Sequence, residues 1–330
     1  MRFKVFFLFF LVTRLLWFLA ARAWLVVRGR RRFVEKVTPV FMSRVTGKPV
    51  KSVELTALGC GATGIIHRIV CDNGESFVLK ELGEKNQLML LLSEMAETEF
   101  LMHTTFEDTL AGVKPRCVFA AMDRFTQETA IICEDLGHLE GGAVPEEGLS
   151  PEVLRTLVRG LAQVRRQTVA RVAQLQNHPV LGIDPRSRML RMVPVMWKSL
   201  SKKAHQNALV ETFVRNRVVT ATMQLVSSNL DLTIELLMLN KWNKRFGLCH
   251  PDPRSDNAFW GKNDECSFID WGSTYYHGPF CKDLAWLLSW DCDTKTRRVV
   301  ETECLEEMLR MAVEVDPTIV FDDVRGAFHS

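Results

Sequence analysis

Residues 249–272 read Cys-His-Pro-Asp-Pro-Arg-Ser-Asp-Asn-Ala-Phe-Trp, a short spacer, then Phe-Ile-Asp-Trp-Gly, and no other segment constrains the chain as much. It sets His250, Asp252, Asn257 and Asp270 in a fixed order. A loop carboxylate, Asp252, can orient and deprotonate an attacking hydroxyl. The amide oxygen of Asn257, five residues on, can reach a metal on the other side of the same turn. Asp270, ending the next short strand, can hold a magnesium ion that bridges nucleotide phosphates. Either half alone could arise by chance; both halves thirteen residues apart are much less expected.

A chain of 330 residues that is 47% hydrophobic can build two lobes, each with its own core, plus an appendage. The formal charge of +3 hides a division. Residues 1–36 carry nine Lys/Arg against Glu35 alone, about +8, which leaves about −5 for the rest. A mildly acidic body is a poor electrostatic match for nucleic acid, so no such partner is expected. Nine cysteines, an odd number without a Cys-x-x-Cys pair, do not read as a disulfide framework and point to a reducing compartment.

Residues 5–27 form a nearly unbroken apolar stretch of 23, interrupted by Arg14 and Arg22 and followed by Arg28, Arg30, Arg31 and Arg32. That length suffices to cross a bilayer. Fifteen Phe, Leu and Val residues contribute roughly −7 kcal/mol of insertion energy against about +3 for a central Arg. A spanning anchor is therefore expected, with the body on the cytosolic side by the positive-inside rule. An interfacial helix with snorkelling arginines ranks second and a cleaved secretory signal last.

The linker at 37–51 leads to strand-like runs at 53–59, 65–71 and 75–81, with Asp72-Asn73-Gly74 as a hairpin turn. A helix is expected over 86–103 and two further strands over 116–122 and 129–133, completing a five-stranded lobe. From Pro151 the pattern turns helical, with Val153, Leu157, Leu161 and Val164 in register and Ser150-Pro151 as the start signal. Further helices are expected within 213–246, at 282–290 and at 296–313. The expected division is an anchor at 1–36, the linker, an N-lobe at 52–136 and a helical C-lobe at 137–330.

Gly59-Cys-Gly61-Ala-Thr-Gly64 lies between two strand-like runs, where glycines let backbone amides approach phosphate oxygens. Alone it could be an ordinary hairpin turn. A dinucleotide site needs a helix after the third glycine, and Ile65 to Val70 reads as strand, so a flap over phosphates is preferred. Lys80, sixteen residues past the third glycine, ends an apolar strand where an ammonium can meet α/β-phosphates if a helix-borne acid holds it. Glu94, Glu97 and Glu99 are candidates, and Glu97 is the choice. Asp283 either begins a helix as an N-terminal acid or braces the loop through backbone amides. Arg254 is ambiguous between phosphoryl contact and solvent. Only twelve residues separate Asp270 from Asp283, with no Ala-Pro-Glu segment, which leaves little room for a protein-kinase activation loop and favours a small hydroxylated acceptor.

Taken together these residues resemble the aminoglycoside phosphotransferase and choline kinase superfamily, and within it the ecdysteroid-kinase-like family. The resemblance covers about residues 50–295 through His250-x-Asp252-x4-Asn257, Asp270-Trp271 and Gly278-Pro279-x3-Asp283-Leu284-Ala285, with Glu134-Asp135-Leu136 similar to the hinge that meets adenine. It implies an α+β, bilobal, protein-kinase-like fold and ATP-dependent O-phosphorylation with Mg²⁺. Asp252 would be the base, His250 and Asn257 would belong to the catalytic motif, and Asn257 and Asp270 would bind the metal. Gly59, Gly61, Gly64, Lys80, Glu97, Glu134 and Leu136 would bind the nucleotide. Sterols, choline-like molecules and amino alcohols are the candidate acceptors. The alternative is a non-catalytic module that binds nucleotide or lipid. Two departures stand out: Pro251 fills a position that is usually glycine, and Leu161-Ala162-Gln163-Val164 ends in Arg165 where the family often has His.

Overall fold

Residues 16–25, 32–60, 64–82, 93–143, 148–169, 215–228, 247–276 and 282–315, with a few isolated positions between them, are described in the computed structural model of the chain. One half is an antiparallel sheet. Its strands β1 (Val53–Cys60), β2 (Gly64–Cys71), β3 (Ser76–Leu82), β4 (Cys117–Asp123) and β5 (Glu128–Glu134) are ordered β1-β2-β3-β5-β4. The alternation of β3 puts Phe77 and Leu79 into a core with Ile69, Ala130 and Ile132, closed by Met42 of α1 (Pro39–Thr46). That alternation also sends Lys80 to the opposite face, facing Ile66 on β2 and Ile131 on β5. Helix α2 (Met95–Thr104) connects β3 to β4 and packs on the turn after Asp270.

The other half centres on α3 (Pro151–Val169), which starts where the sequence signals it, the Ser150 hydroxyl accepting from the Val153 amide. Its Leu154, Leu157, Leu161 and Val164 are buried against Phe268, Trp271, Leu284, Leu287 and Met308. Helices α4 (Arg217–Ser228), α5 (Lys282–Asp291) and α6 (Thr294–Val315) complete the described helical part. Full burial of each such leucine contributes about 1.5–3 kcal/mol.

Short strands carry the loops. β6 (Glu140–Gly141) pairs with β8 (Ala258–Trp260), which pairs with β9 (Cys266–Phe268), while β7 (Leu248–Cys249) pairs with β10 (Tyr275–Tyr276). The segments after β7 and after β9 therefore emerge side by side.

The expected strands all form, within a residue or two of their expected bounds. The expected spanning helix is not supported: among the described residues no helix is long and apolar enough to cross a membrane, and residues 5–12, 14, 15, 26 and 27 lie outside them. Residues 16–25 are helical and touch the sheet half, with Trp17 Nε1 donating to Phe125 O at 2.7 Å and Ala21 and Leu25 buried. The part of the expected helical region 213–246 that follows Ser228 also lies outside the described residues.

Candidate active site

Lys80 Nζ lies 2.6 and 2.8 Å from the two carboxylate oxygens of Glu99 and 2.8 Å from Asp270 Oδ1. One ammonium thus joins strand, helix and the opposite half of the molecule. Burial works against its charge, but the Glu99 and Asp270 carboxylates outweigh that and raise its pKa. Burial raises the pKa of Glu99, an effect that Lys80 opposes. Lys80 holds Asp270 below the usual carboxylate range despite burial.

The expected partner of Lys80 is corrected by this geometry. Glu97 points the other way, toward Arg124 at 3.9 Å, and Glu99 takes the place assigned to it. The apolar stripe of α2 explains why. Ala96, Glu99, Met102 and His103 are buried together at helical spacing, and Glu97 falls off that stripe. An acid embedded in an apolar i, i+3, i+4 pattern was the legible signal.

Asp270 sits in the left-handed region (φ 61°, ψ 57°), at the start of a tight turn over Trp271–Ser273. Gly272 lets that turn seat against α2: a Cβ there would lie 3.2 Å from Met95 O and 3.4 Å from the Glu99 carboxylate. Trp271 is fully buried, donates from Nε1 to Phe268 O, and packs edge-on against His250 with centroids 4.6 Å apart.

Asp252 is held from three sides. Its Oδ1 accepts from Trp286 Nε1 and Arg254 Nε, both at 2.9 Å, and its Oδ2 accepts from Asn257 Nδ2 at 3.2 Å. The same Asn257 nitrogen donates to Asp252 O at 3.0 Å. Both partners are acceptors, so the amide nitrogen faces Asp252 and the amide oxygen faces away. Asn257 O in turn accepts from the Ile269 amide, one residue before Asp270, which draws the two loops together.

Arg254 is not a solvent residue. It bridges Asp252 and Asp256 and lies over the Trp290 ring. Beneath the loop, Asp291 accepts from the Ser255 amide (3.0 Å) and hydroxyl (2.6 Å). Asp283 accepts from the His250 amide at 3.1 Å and pairs with buried Arg165 at 3.3 Å. Both of its sequence readings hold: it stands in the first turn of α5 and braces the loop through the His250 amide. Neither Asp291 nor Trp286 was legible as a loop support; Trp286 lies three residues after Asp283, one turn along the same helix.

His250 needs correction as a catalytic group. It is fully buried, and its Nε2 faces the Ile269 carbonyl at 2.8 Å, so that nitrogen carries the proton. Burial lowers its pKa and keeps the ring neutral. It braces the two loops rather than facing the cleft. Glu134 ends β5 with its amide donating to Arg116 O, and the Asp135 amide donates to Ser76 O. Leu136 is buried at the crossing. Of the glycines, Gly59 ends β1 at a register shift and Gly61 lies outside the described residues. Gly64 is crossed so closely by β3 that a Cβ would fall 2.3 Å from Glu81 O.

Residues 132–304 match the phosphotransferase enzyme family (APH). The chain belongs to that family. Among solved structures it is similar to an aminoglycoside-3'-phosphotransferase of type VIII (16% identity, 84% of this chain and 93% of that one, TM-score 0.43). It is also similar to an amicoumacin kinase in complex with AMP-PNP, Ca²⁺ and amicoumacin (14%, 91% and 87%, 0.44). A third is the macrolide 2'-phosphotransferase of Brachybacterium faecium (12%, 87% and 86%, 0.43). Overlays this loose assign no substrate. No curated protein matches.

Proposed function

We propose that this phosphotransferase is an ATP-dependent kinase of small molecules that phosphorylates a hydroxyl. The observation that carries the reading is the single ammonium of Lys80 shared by Glu99 and Asp270, beside an Asp252 locked to Asn257. The donor set suits Mg²⁺, since the Asp270 carboxylate and the outward amide oxygen of Asn257 are both hard oxygen ligands. When bound, Mg²⁺-ATP supplies the phosphoryl group and screens its charge. Asp252 orients the acceptor hydroxyl and takes its proton, Trp286 and Arg254 fix the direction of that carboxylate, and Glu99 aims Lys80 at the phosphates. The resemblance assigns the phosphates to the Gly59–Gly64 motif, of which residues 61–63 lie outside the described residues, and buried Leu136 would offer an apolar wall to adenine.

The short interval between Asp270 and Asp283 supports a small acceptor. Sterols, choline-like molecules and amino alcohols are the first classes to assay. We place the body in the cytosol with the basic N-terminal segment at a membrane surface, a reading supported by the apolar run followed by Arg28 to Arg32; vesicle co-sedimentation of the full chain with and without residues 1–32 tests it.

The deciding experiment measures transfer from labelled ATP to that panel by wild type and Asp252→Ala, alongside a thermal shift with Mg²⁺-ATP. Transfer should fall by about 10²–10⁴ while the shift persists. Equal transfer by the variant would remove the mechanism, and a shift without transfer to any acceptor would point to the non-catalytic module instead.

A further inference from the structure

A second group of ligand-type side chains stands apart from the cleft carboxylates. His103 lies in the last turn of α2, Cys117 opens β4 and Cys133 lies at the end of β5. One ring nitrogen and both sulfurs lie within 4.8 Å of one another. Cys117 and Cys133 are direct partners across the antiparallel pair, and Cys117 Sγ donates to Phe119 O at 3.3 Å. His103 Nδ1 turns in toward them, 3.4 Å from Cys133 Sγ. Around a tetrahedral ion with metal–ligand bonds of ~2.0–2.3 Å, ligand atoms stand roughly 3.3–3.8 Å apart. The three groups are thus within a small closure of a coordination sphere.

Charge and burial agree with that geometry. His103 and Cys133 are buried, so an ion held between them is withdrawn from bulk water. Two thiolates and a dication sum to zero, which a low-dielectric site tolerates. Buried Lys114 faces the cluster, 3.4 Å from His103 Nδ1. If the ring turns to a metal, Lys114 retains Glu107 and the Pro115 carbonyl. Cys117 also lines a cleft of about 580 Å³ bordered by Glu107, Lys114 and Arg116, so this one of the three groups is open to solvent.

We propose that His103, Cys117 and Cys133 form a site for a thiophilic divalent cation of the zinc class, separate from the hard oxygen site of the cleft. Its ligands come from three elements, so an ion there ties α2 to β4 and β5. His103 follows Glu99 by four residues and so shares its helix face, and Cys133 directly precedes Glu134. Occupancy therefore clamps the helix that aims Lys80. This goes beyond the phosphotransfer reading and does not depend on it.

The test is cobalt uptake by the full, freshly reduced and chelator-treated chain. One equivalent of Co²⁺ should give a thiolate-to-cobalt charge-transfer band that Zn²⁺ abolishes and excess Mg²⁺ does not. Cys117→Ser and Cys133→Ser should each lose the band, while Cys71→Ser and Cys304→Ser keep it. Zn²⁺ should also slow alkylation of Cys117 and Cys133 in the wild type, read by mass spectrometry, which keeps the test open should a variant fail to fold. Absence of the band, a band unchanged in both serine variants, or equal alkylation with and without Zn²⁺ overturns the site. So does a Cys117–Cys133 disulfide forming in air in a protein that takes up no cobalt when reduced.

Discussion

At the residue scale the ion-pair assignment is decided by helix phase. Glu97 and Glu99 are two positions apart, so they project to nearly opposite sides of α2, and only Glu99 shares the buried stripe. Glu99→Gln should lower turnover at least about tenfold, equivalent to ~1.4 kcal/mol of transition-state stabilisation, whereas Glu97→Gln should leave it within about twofold. Steady-state kinetics on the two variants checks this. The buried ring of His250 gives a second expectation. Its folded pKa lies below the unfolded value of about 6.5, so the unfolded chain binds the extra proton, and this contribution to stability is present above that pH and lost as the pH falls toward the folded value. Metal-free protein should lose up to ~1.4 kcal/mol per pH unit below about 6.5 from this group, measurable by urea unfolding at stepwise lower pH. The closeness of Asp252 and Asn257 was readable because spacing within a loop survives without knowledge of packing. Asp291 was not, because it depends on which side of a helix meets another element, and Glu99 could be read only from the buried stripe of α2.

At the element scale, alternation and capping signals carried the reading. β2 and β3 alternate and β5 runs apolar, enough for all three to be read as strands, and Ser150-Pro151 marks the start of α3 to the residue. What local sequence could not reveal is how α3 and α5 meet. Arg165 appeared only as a departure from a family pattern. In the fold it is buried and paired with Asp283, which also holds the His250 amide, so a helix, a second helix and the loop share one carboxylate. Removing one member of a buried pair costs about 3–5 kcal/mol. Arg165→Leu should destabilise by that amount in chemical denaturation and lower activity in step with the lost loop support.

At the scale of the whole molecule, one apolar cluster lies under the sheet and a larger one surrounds α3. Leu157 sits in the larger cluster, fully buried, and Leu157→Ala should cost about 2–5 kcal/mol, read as a lower denaturation midpoint. The contact of Lys80 with Asp270 spans the two halves, and nothing in either local segment announces it: the residues are 190 positions apart. The apolar N-terminal run shows the converse. Its composition is plain, yet composition alone did not foresee Trp17 bonding to Phe125 on the β4–β5 turn.

Asp270 holds a positive φ, a region that asparagine and aspartate visit more cheaply than other side-chain-bearing residues. Replacing it with alanine would therefore remove a charge and deform the peptide path at once, mixing two losses in one measurement. Asparagine separates them. With Asp270→Asn the turn should keep its shape and the protein its melting behaviour to within ~1–2 kcal/mol, while Mg²⁺-dependent turnover collapses. A glycine there should ease the backbone and still be inactive, so the pair of substitutions divides architecture from chemistry at a single position.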